Sequence, residues 1–263
     1  METFLSLPTP LEILLDPLSL YVLATYVLLI VWEELFPARK LPKVKLWRLK
    51  GLSFFFLFFF MASYLPLWVD PFLAQYQLID LSYLGLVPGL AIGLVVYELG
   101  VYLYHITMHK YDFLWRTFHQ VHHSAERLDT YGALFHSPLD MIGFTLVGSI
   151  SLTLFVGLSP EVITILLFII NFMAFFQHAN IKTPQWIGYL IQRPESHSIH
   201  HGRGIHKYNY SDLPIIDMIF GTFKNPKNYE KETGFYNGAT DRILDMLLFK
   251  DISSKKSNET DKN

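Results

Sequence analysis

The chain has 263 residues, 51% of them apolar and only 17% charged, with 21 Lys and Arg against 23 Asp and Glu for a net charge of −2. A soluble domain carries roughly a quarter charged residues, so this composition excludes a disordered chain and a basic nucleic-acid binder and points to the bilayer. There is no cysteine, which excludes a disulfide scaffold and any catalysis or metal site built on thiolate.

A bilayer crossing needs about 20 mostly apolar residues. The first such run is 18–35, uncharged until Glu33 and Glu34. The second is 52–69, and its run of six Phe around Leu57 reads as a lipid-facing or packed helix face. The third is 84–104, interrupted only by Glu98. Runs four and five, 141–158 and 161–176, are separated by Gly157-Leu158-Ser159-Pro160 and are short enough for a hairpin that only partly crosses. No cleaved leader is expected, because Glu2, Glu12 and Asp16 precede the first run and no basic stretch does. Trp32, Trp47 and Trp68 fall at span ends and are assigned to the headgroup layer, with Trp115 and Trp186 just beyond spans.

Loop charge sets the orientation. The first loop holds Arg39, Lys40, Lys43, Lys45, Arg48 and Lys50 and no acid, whereas the second holds Asp70 and Asp80 and no base. The positive-inside rule makes the first loop cytoplasmic. The third run then returns to the cytoplasm near His105, and the hairpin leaves and re-enters on that side, so every histidine lies there. The expected architecture is an all-α integral membrane bundle of four to five spans, with a cytoplasmic helical cap carrying a His-rich dimetal site. Residues 1–83 form two membrane helices and loops, 84–252 a membrane and catalytic domain, and 253–263 a solvated, mobile tail.

Eleven histidines are present, and they cluster. His105 and His109 form H-x3-H; His119, His122 and His123 form H-x2-H-H; His197, His200 and His201 repeat that pattern; His136, His178 and His206 stand alone. On a helix each cluster occupies one stripe, because i+4 is displaced by about 40° and i+3 by about 60° the other way. Asp112 can cap a helix running into His119, and Pro194 and Gly202 can bound one around His197. Eight or more imidazoles exceed what one ion takes, so two ions share the set; imidazole suits Fe, Zn, Cu and Ni alike. H-E-x-x-H, G-x-S-x-G and a Gly-rich nucleotide loop after a strand are all absent.

The three clusters, spread over membrane hairpins and set in WRTFHQVHHS (115–124), ALFHSPLD (133–140), FQHANI (176–181), PESHSIHH (194–201), Tyr208-Asn209-Tyr210 and DMIFGTF (217–223), resemble the fatty acid hydroxylase/sterol desaturase superfamily. The resemblance covers roughly residues 84–223; the first two spans match only in type. It implies a membrane oxidoreductase that uses two histidine-bound iron ions (zinc can replace them on purification) and O2 to hydroxylate or desaturate a sterol, fatty acyl or related lipid. An ether-lipid monooxygenase is the alternative within that class. Carried over, the ligands are His105, His109, His119, His122, His123, His178, His197, His200 and His201. His136 also sits at a family position, as ligand or as support, and His206 has no counterpart. Fatty acid 2-hydroxylases of the superfamily add a ligand beside the isolated histidine in an H-x3-H pattern, but Ala174 and Lys182 stand at that spacing from His178 here.

Ligand imidazoles need acceptors for their outer nitrogens; Asp217, Glu195, Asp129 and Asp140 are candidates, with Asp217 favoured. A groove between the third span and the hairpin is expected to admit the lipid. With no electron-delivery segment visible, an external donor is implied: a reductase, small haem protein, ferredoxin or pterin. The membrane is a bacterial inner membrane or the endoplasmic reticulum. The rival from another class, a His-rich metal transporter, needs polar residues through mid-bilayer, and a zinc hydrolase needs only three ligands and a catalytic Glu.

Overall fold

The computed structural model describes residues 7–254; the tail expected over 253–263 lies almost wholly outside them. Its frame is five long helices, α1 (Pro17–Leu35), α2 (Trp47–Leu73), α3 (Leu86–Lys110), α4 (Pro138–Ser149) and α5 (Pro160–His178), followed by two short ones, α6 (Pro194–His200) and α7 (Pro214–Phe220). Among the described residues, four helices are long and apolar enough to cross a membrane, and 160–176 forms a shorter fifth. α4 reaches that length by continuing through wider, π-type turns at Ile150–Phe155. The only strands among the described residues are Ile79–Asp80 and Val156–Gly157, a two-residue parallel pair beyond the ends of α2 and α4.

Local chemistry sets the helix starts. Five of the seven open on proline at the first position, where its fixed φ suits the helix and its missing N–H is not needed. Asp16, Ser137 and Ser159 precede three of those prolines and accept hydrogen bonds from the first-turn amides. α7 stops at Gly221, whose φ of +75° is left-handed.

The helices pack as a ring. α2 lies on α4, α4 on α3, α3 on α5 and α5 on α1. Tyr26 of α1 closes the ring by stacking on Phe55 of α2 at 4.0 Å, with Phe175 of α5 edge-on to Tyr26 at 5.3 Å. The Phe run is thus split: Phe55 and Phe59 are core, and Phe56 is exposed on the outer face. The third span meets α5 of the hairpin closely at Gly89 and Gly93. A Cβ on Gly93 would stand 2.4 Å from Leu166 Cδ1, and one on Gly89 2.9 Å from Val162 Cγ2.

The first two spans are tied to the remainder by buried polar contacts. Glu33 Oε2 accepts from Thr130 N, Thr130 Oγ1 and Asn180 N at 2.9–3.0 Å. Trp47 is buried rather than at a headgroup layer, and its Nε1 donates to Asp129 at 2.8 Å. Trp32, Trp68 and Trp186 remain exposed. The basic first loop sits at the histidine end of the bundle, with Arg39 Nη1 donating to Glu230 O and Arg127 Nη1 to Pro42 O.

Candidate metal centre

α3 carries His105 and His109 one turn apart near its C-terminus. The chain then passes through a single turn at Asp112–Leu114 and a π-type turn at Trp115–His119, where Gln120 N donates to Trp115 O, before the helical turn Gln120–His123. Asp112 makes no cap there. α5 ends on His178, and α6 delivers His197 and His200 with His201 at its C-cap.

The nine histidines converge as two adjoining groups. His105, His109, His119, His123 and His200 form one, and His122, His178, His197 and His201 the other, with candidate ligand atoms inside each lying within 4.8 Å of one another. Each H-x2-H-H is therefore divided, where one stripe aimed at one place was expected. Its i and i+4 members go to one group and its i+3 member to the other, because i+3 and i+4 diverge by about 100° around a helix. The split is reciprocal: His119 and His123 join the five, His122 the four, His197 and His201 the four, and His200 the five. Rings of the two groups touch, His123 stacking on His201 at 4.3 Å.

Within the groups the inner nitrogens face one another. In the five-histidine group, His119 Nε2 stands 2.9 Å from His105 Nε2 and 3.1 Å from His123 Nε2. In the four-histidine group, His178 Nε2 stands 3.2 Å from His122 Nε2 and 3.1 Å from His197 Nε2, and His197 Nε2 3.1 Å from His201 Nε2. Two ligands at right angles on an ion, with metal–nitrogen bonds of about 2.1 Å, stand ~3.0 Å apart, so these spacings fit a bound metal.

The outer nitrogens agree. His105 Nδ1 donates to Tyr210 O at 2.8 Å, His119 Nδ1 to Asp140 Oδ2 at 2.8 Å, His200 Nδ1 to Tyr208 O at 2.7 Å and His178 Nδ1 to Ala174 O at 2.7 Å. A neutral imidazole that donates through Nδ1 has a bare lone pair on Nε2. The lone pairs of His105 and His119 then repel at 2.9 Å unless a cation lies among them. His109 Nε2 and His200 Nε2 are buried with no hydrogen-bond partner, as inward-pointing metal donors are.

Burial, then neighbouring imidazoles, holds His122, His123, His197, His200 and His201 well below the usual histidine range. They are neutral at physiological pH, the state a metal ligand requires.

Four supports stand around the groups. Asp140, fully buried, receives His119 Nδ1 and His136 Nδ1 on Oδ2 and the Tyr104 hydroxyl on Oδ1 at 2.9 Å. His136 lies flat on His122 with ring centroids 3.9 Å apart. Trp115 covers His109 and His123 at 5.0 and 5.1 Å. Phe144 stands between the bundle interior and the five-histidine group, 6.0 Å from His105 and 6.1 Å from His119.

The favoured acceptor, Asp217, touches no histidine. Its oxygens receive Tyr210 N, Ser211 N and Thr222 Oγ1, so it reaches His105 only through the Tyr210 peptide. Glu195 is taken by Thr183, with Arg193 beside it, and Asp129 by Trp47 and Arg127. Asp140 fills the role; its spacing of four from His136, beside a Ser-Pro helix start, was the readable signal. His206, set apart in the sequence, has Nδ1 3.1 Å from His123 Nδ1. The backbone acceptors at 208 and 210 have no signal of their own in a sequence.

A family model described as fatty acid hydroxylase matches residues 90–222, half of the chain. Among curated proteins, Sphinganine C4-monooxygenase 1 of Arabidopsis thaliana is 27% identical over 170 residues, 62% of this chain and 65% of that protein. Ornithine lipid hydroxylase OlsE of Rhizobium tropici is 30% identical over 139 residues, 51% of this chain and 41% of that protein. Very-long-chain aldehyde decarbonylase GL1-7 of Oryza sativa subsp. japonica is 28% identical over 174 residues, 61% of this chain and 26% of that protein. The matches thus span less than two thirds of these relatives. No solved structure matches the chain.

Proposed function

The chain belongs to the fatty acid hydroxylase family, and from that premise we propose that it is a membrane-bound oxidoreductase that hydroxylates or desaturates a lipid with O2 at a pair of iron ions. The observation that carries this reading is the division of nine imidazoles into adjoining sets of five and four. One ion cannot use nine ligands, and an all-imidazole set is compatible with redox iron. His105, His109, His119, His123 and His200 would hold one ion, and His122, His178, His197 and His201 the other. A lipid C–H bond offers no acidity to a general base, and iron supplies the activation of O2 that such a bond requires.

The protein's own residues do the remaining work. Asp140 and the carbonyls of Tyr208, Tyr210 and Ala174 hold the Nδ1 atoms of His119, His200, His105 and His178 outward, which turns their Nε2 atoms inward. His136 bridges Asp140 and the face of His122 as a support rather than a ligand. Phe144, with Tyr104 against it at 4.9 Å, forms an apolar wall on the bundle side, where a lipid chain meets the centre and water is excluded. The centre lies at the basic-loop end of the bundle, and the positive-inside rule supports a cytoplasmic centre that meets an external electron donor. Relatives named for sphinganine and ornithine lipid make a lipid with a polar headgroup the favoured substrate.

Purified protein reconstituted with Fe(II) and given a reductant should consume O2 only when a matching lipid is added, with an oxygenated or desaturated lipid as product. Tight zinc with no O2 uptake from any lipid class would overturn the reading. A transporter is disfavoured because Glu98, the one acid inside α3, is buried against Ser211 and Asp212 rather than lining a path.

A further inference from the structure

One short segment supports most of the five-histidine group. Tyr208 O receives His200 Nδ1, Tyr210 O receives His105 Nδ1, and His206 Nδ1 meets His123 Nδ1 at 3.1 Å. Three of the five imidazoles are therefore oriented from residues 206–210, and a fourth, His119, from Asp140. The four-histidine group is built differently. Only His178 has a protein acceptor, and the Nδ1 atoms of His122, His197 and His201 are buried without one.

The segment holds a backbone that its residues would not choose. His206, Tyr208 and Asn209 all have positive φ, +43°, +73° and +51°. Non-glycine residues keep such a conformation only where the surroundings impose it, and Asn tolerates it best. Here the imposing contacts converge on Asn209, which is buried and uses every polar group it has. Its Nδ2 donates to Ser196 O at 2.8 Å and Lys224 O at 3.0 Å, its Oδ1 accepts from Lys224 N at 2.8 Å, and its backbone N donates to Thr222 O at 3.0 Å. Ser196 precedes His197 on α6, so Asn209 locks the segment to the helix that carries His200; His197 and His201 share that helix but take no side-chain partner from the segment. Asp217 braces the next peptides by accepting Tyr210 N and Ser211 N.

We infer that residues 206–210 are the outer support of the five-histidine site alone, and that Asn209 is the positioning residue that sets its carbonyls. This rests on the reading of the centre as two metal sites. An orienting partner one step removed from a ligand typically changes metal affinity about 10- to 100-fold. Since the four-histidine set takes no partner from this segment, the loss should fall on one ion only.

The test is a cobalt(II) titration of the full-length protein in detergent, read by d–d absorption and by ions bound per chain. Wild type should take two ions, and fewer would sink the two-site reading itself. Asn209→Gly keeps the left-handed backbone accessible while removing the side-chain clamp. It should still take one ion with wild-type affinity, while the other binds about 10- to 100-fold more weakly. Equal weakening of both ions, or no change in either, would overturn the inference. Should Asn209→Gly not fold, His206→Asn, which suits the same φ, should weaken the same single ion; unchanged binding of both ions there would overturn it too.

Discussion

Asp140 offers the sharpest perturbation of the centre, because one buried carboxylate receives three donors: His119 Nδ1 at 2.8 Å, His136 Nδ1 at 2.7 Å and the Tyr104 hydroxyl at 2.9 Å. Asp140→Ala leaves all three without an acceptor in a site closed to solvent. Each orphaned buried donor costs about 1–3 kcal/mol, so the variant should lose on the order of 3–6 kcal/mol of stability after partial relaxation. His119 also loses the partner that fixes its tautomer, which weakens metal binding about 10- to 100-fold. Asp140→Asn separates the two effects. Its amide oxygen still accepts from one or both imidazoles and its NH2 can donate to Tyr104, so stability should fall by only about 1–2 kcal/mol. The carboxylate's charge-assisted bond to His119 is lost in either variant. The assay pairs thermal unfolding in detergent with chelator competition for bound iron. Wild-type metal affinity in Asp140→Asn, or unaltered stability in Asp140→Ala, would refute the assignment of Asp140 as the orienting carboxylate.

The remaining expectations concern pH, packing and the lipid-side wall. Burial depresses the histidines, His206 to about 4 and His122, His123, His197, His200 and His201 well below 6.5. The unfolded chain therefore binds more protons below about pH 6.5, and stability is full above that pH and falls as pH drops toward 4, by up to ~1.4 kcal/mol per unit for each histidine. Thermal midpoints of metal-free protein from pH 7.5 to 5 should fall steadily, and a flat profile would contradict the burial. A Cβ at Gly51 would stand 2.4 Å from the Tyr131 carbonyl oxygen, a backbone atom that cannot swing aside. Gly51→Ala should thus destabilise by about 1–3 kcal/mol, and an unchanged thermal midpoint would show that α2 can shift. Phe144→Ala opens the apolar wall beside His105 and His119. It should keep its iron yet uncouple O2 uptake from lipid product; wild-type coupling would place the lipid elsewhere.

The spans were legible because each needs a long apolar run: 18–35 and 52–69 fall within the helices observed, and 84–104 starts two residues before its helix. The gathering of the histidines was legible for a similar reason, since a clustered polar set at span ends is expensive without a purpose. What escaped reading depends on contacts between distant segments. Trp47 has the flanking position of a headgroup-layer residue, but its partner Asp129 lies 82 residues away and draws it into the core. The division of each H-x2-H-H follows from helix geometry only once two centres, rather than one, stand on either side. Asp217 looked like a histidine acceptor on residue type alone, whereas it holds peptide nitrogens, and the acceptors proved to be Asp140 and three carbonyls. A carbonyl has the same identity at every position, so its role is visible only in space.

The number of redox ions, and which histidines hold each, is the most direct test of a centre divided between five and four imidazoles. Iron per chain should be counted in wild type, His200→Ala and His122→Ala after anaerobic reconstitution, alongside lipid-dependent O2 uptake. Two ions are expected in wild type, with each variant weakening a different one and both abolishing uptake. A single ion in wild type, or the same ion weakened by both substitutions, would contradict a centre built from five histidines beside four.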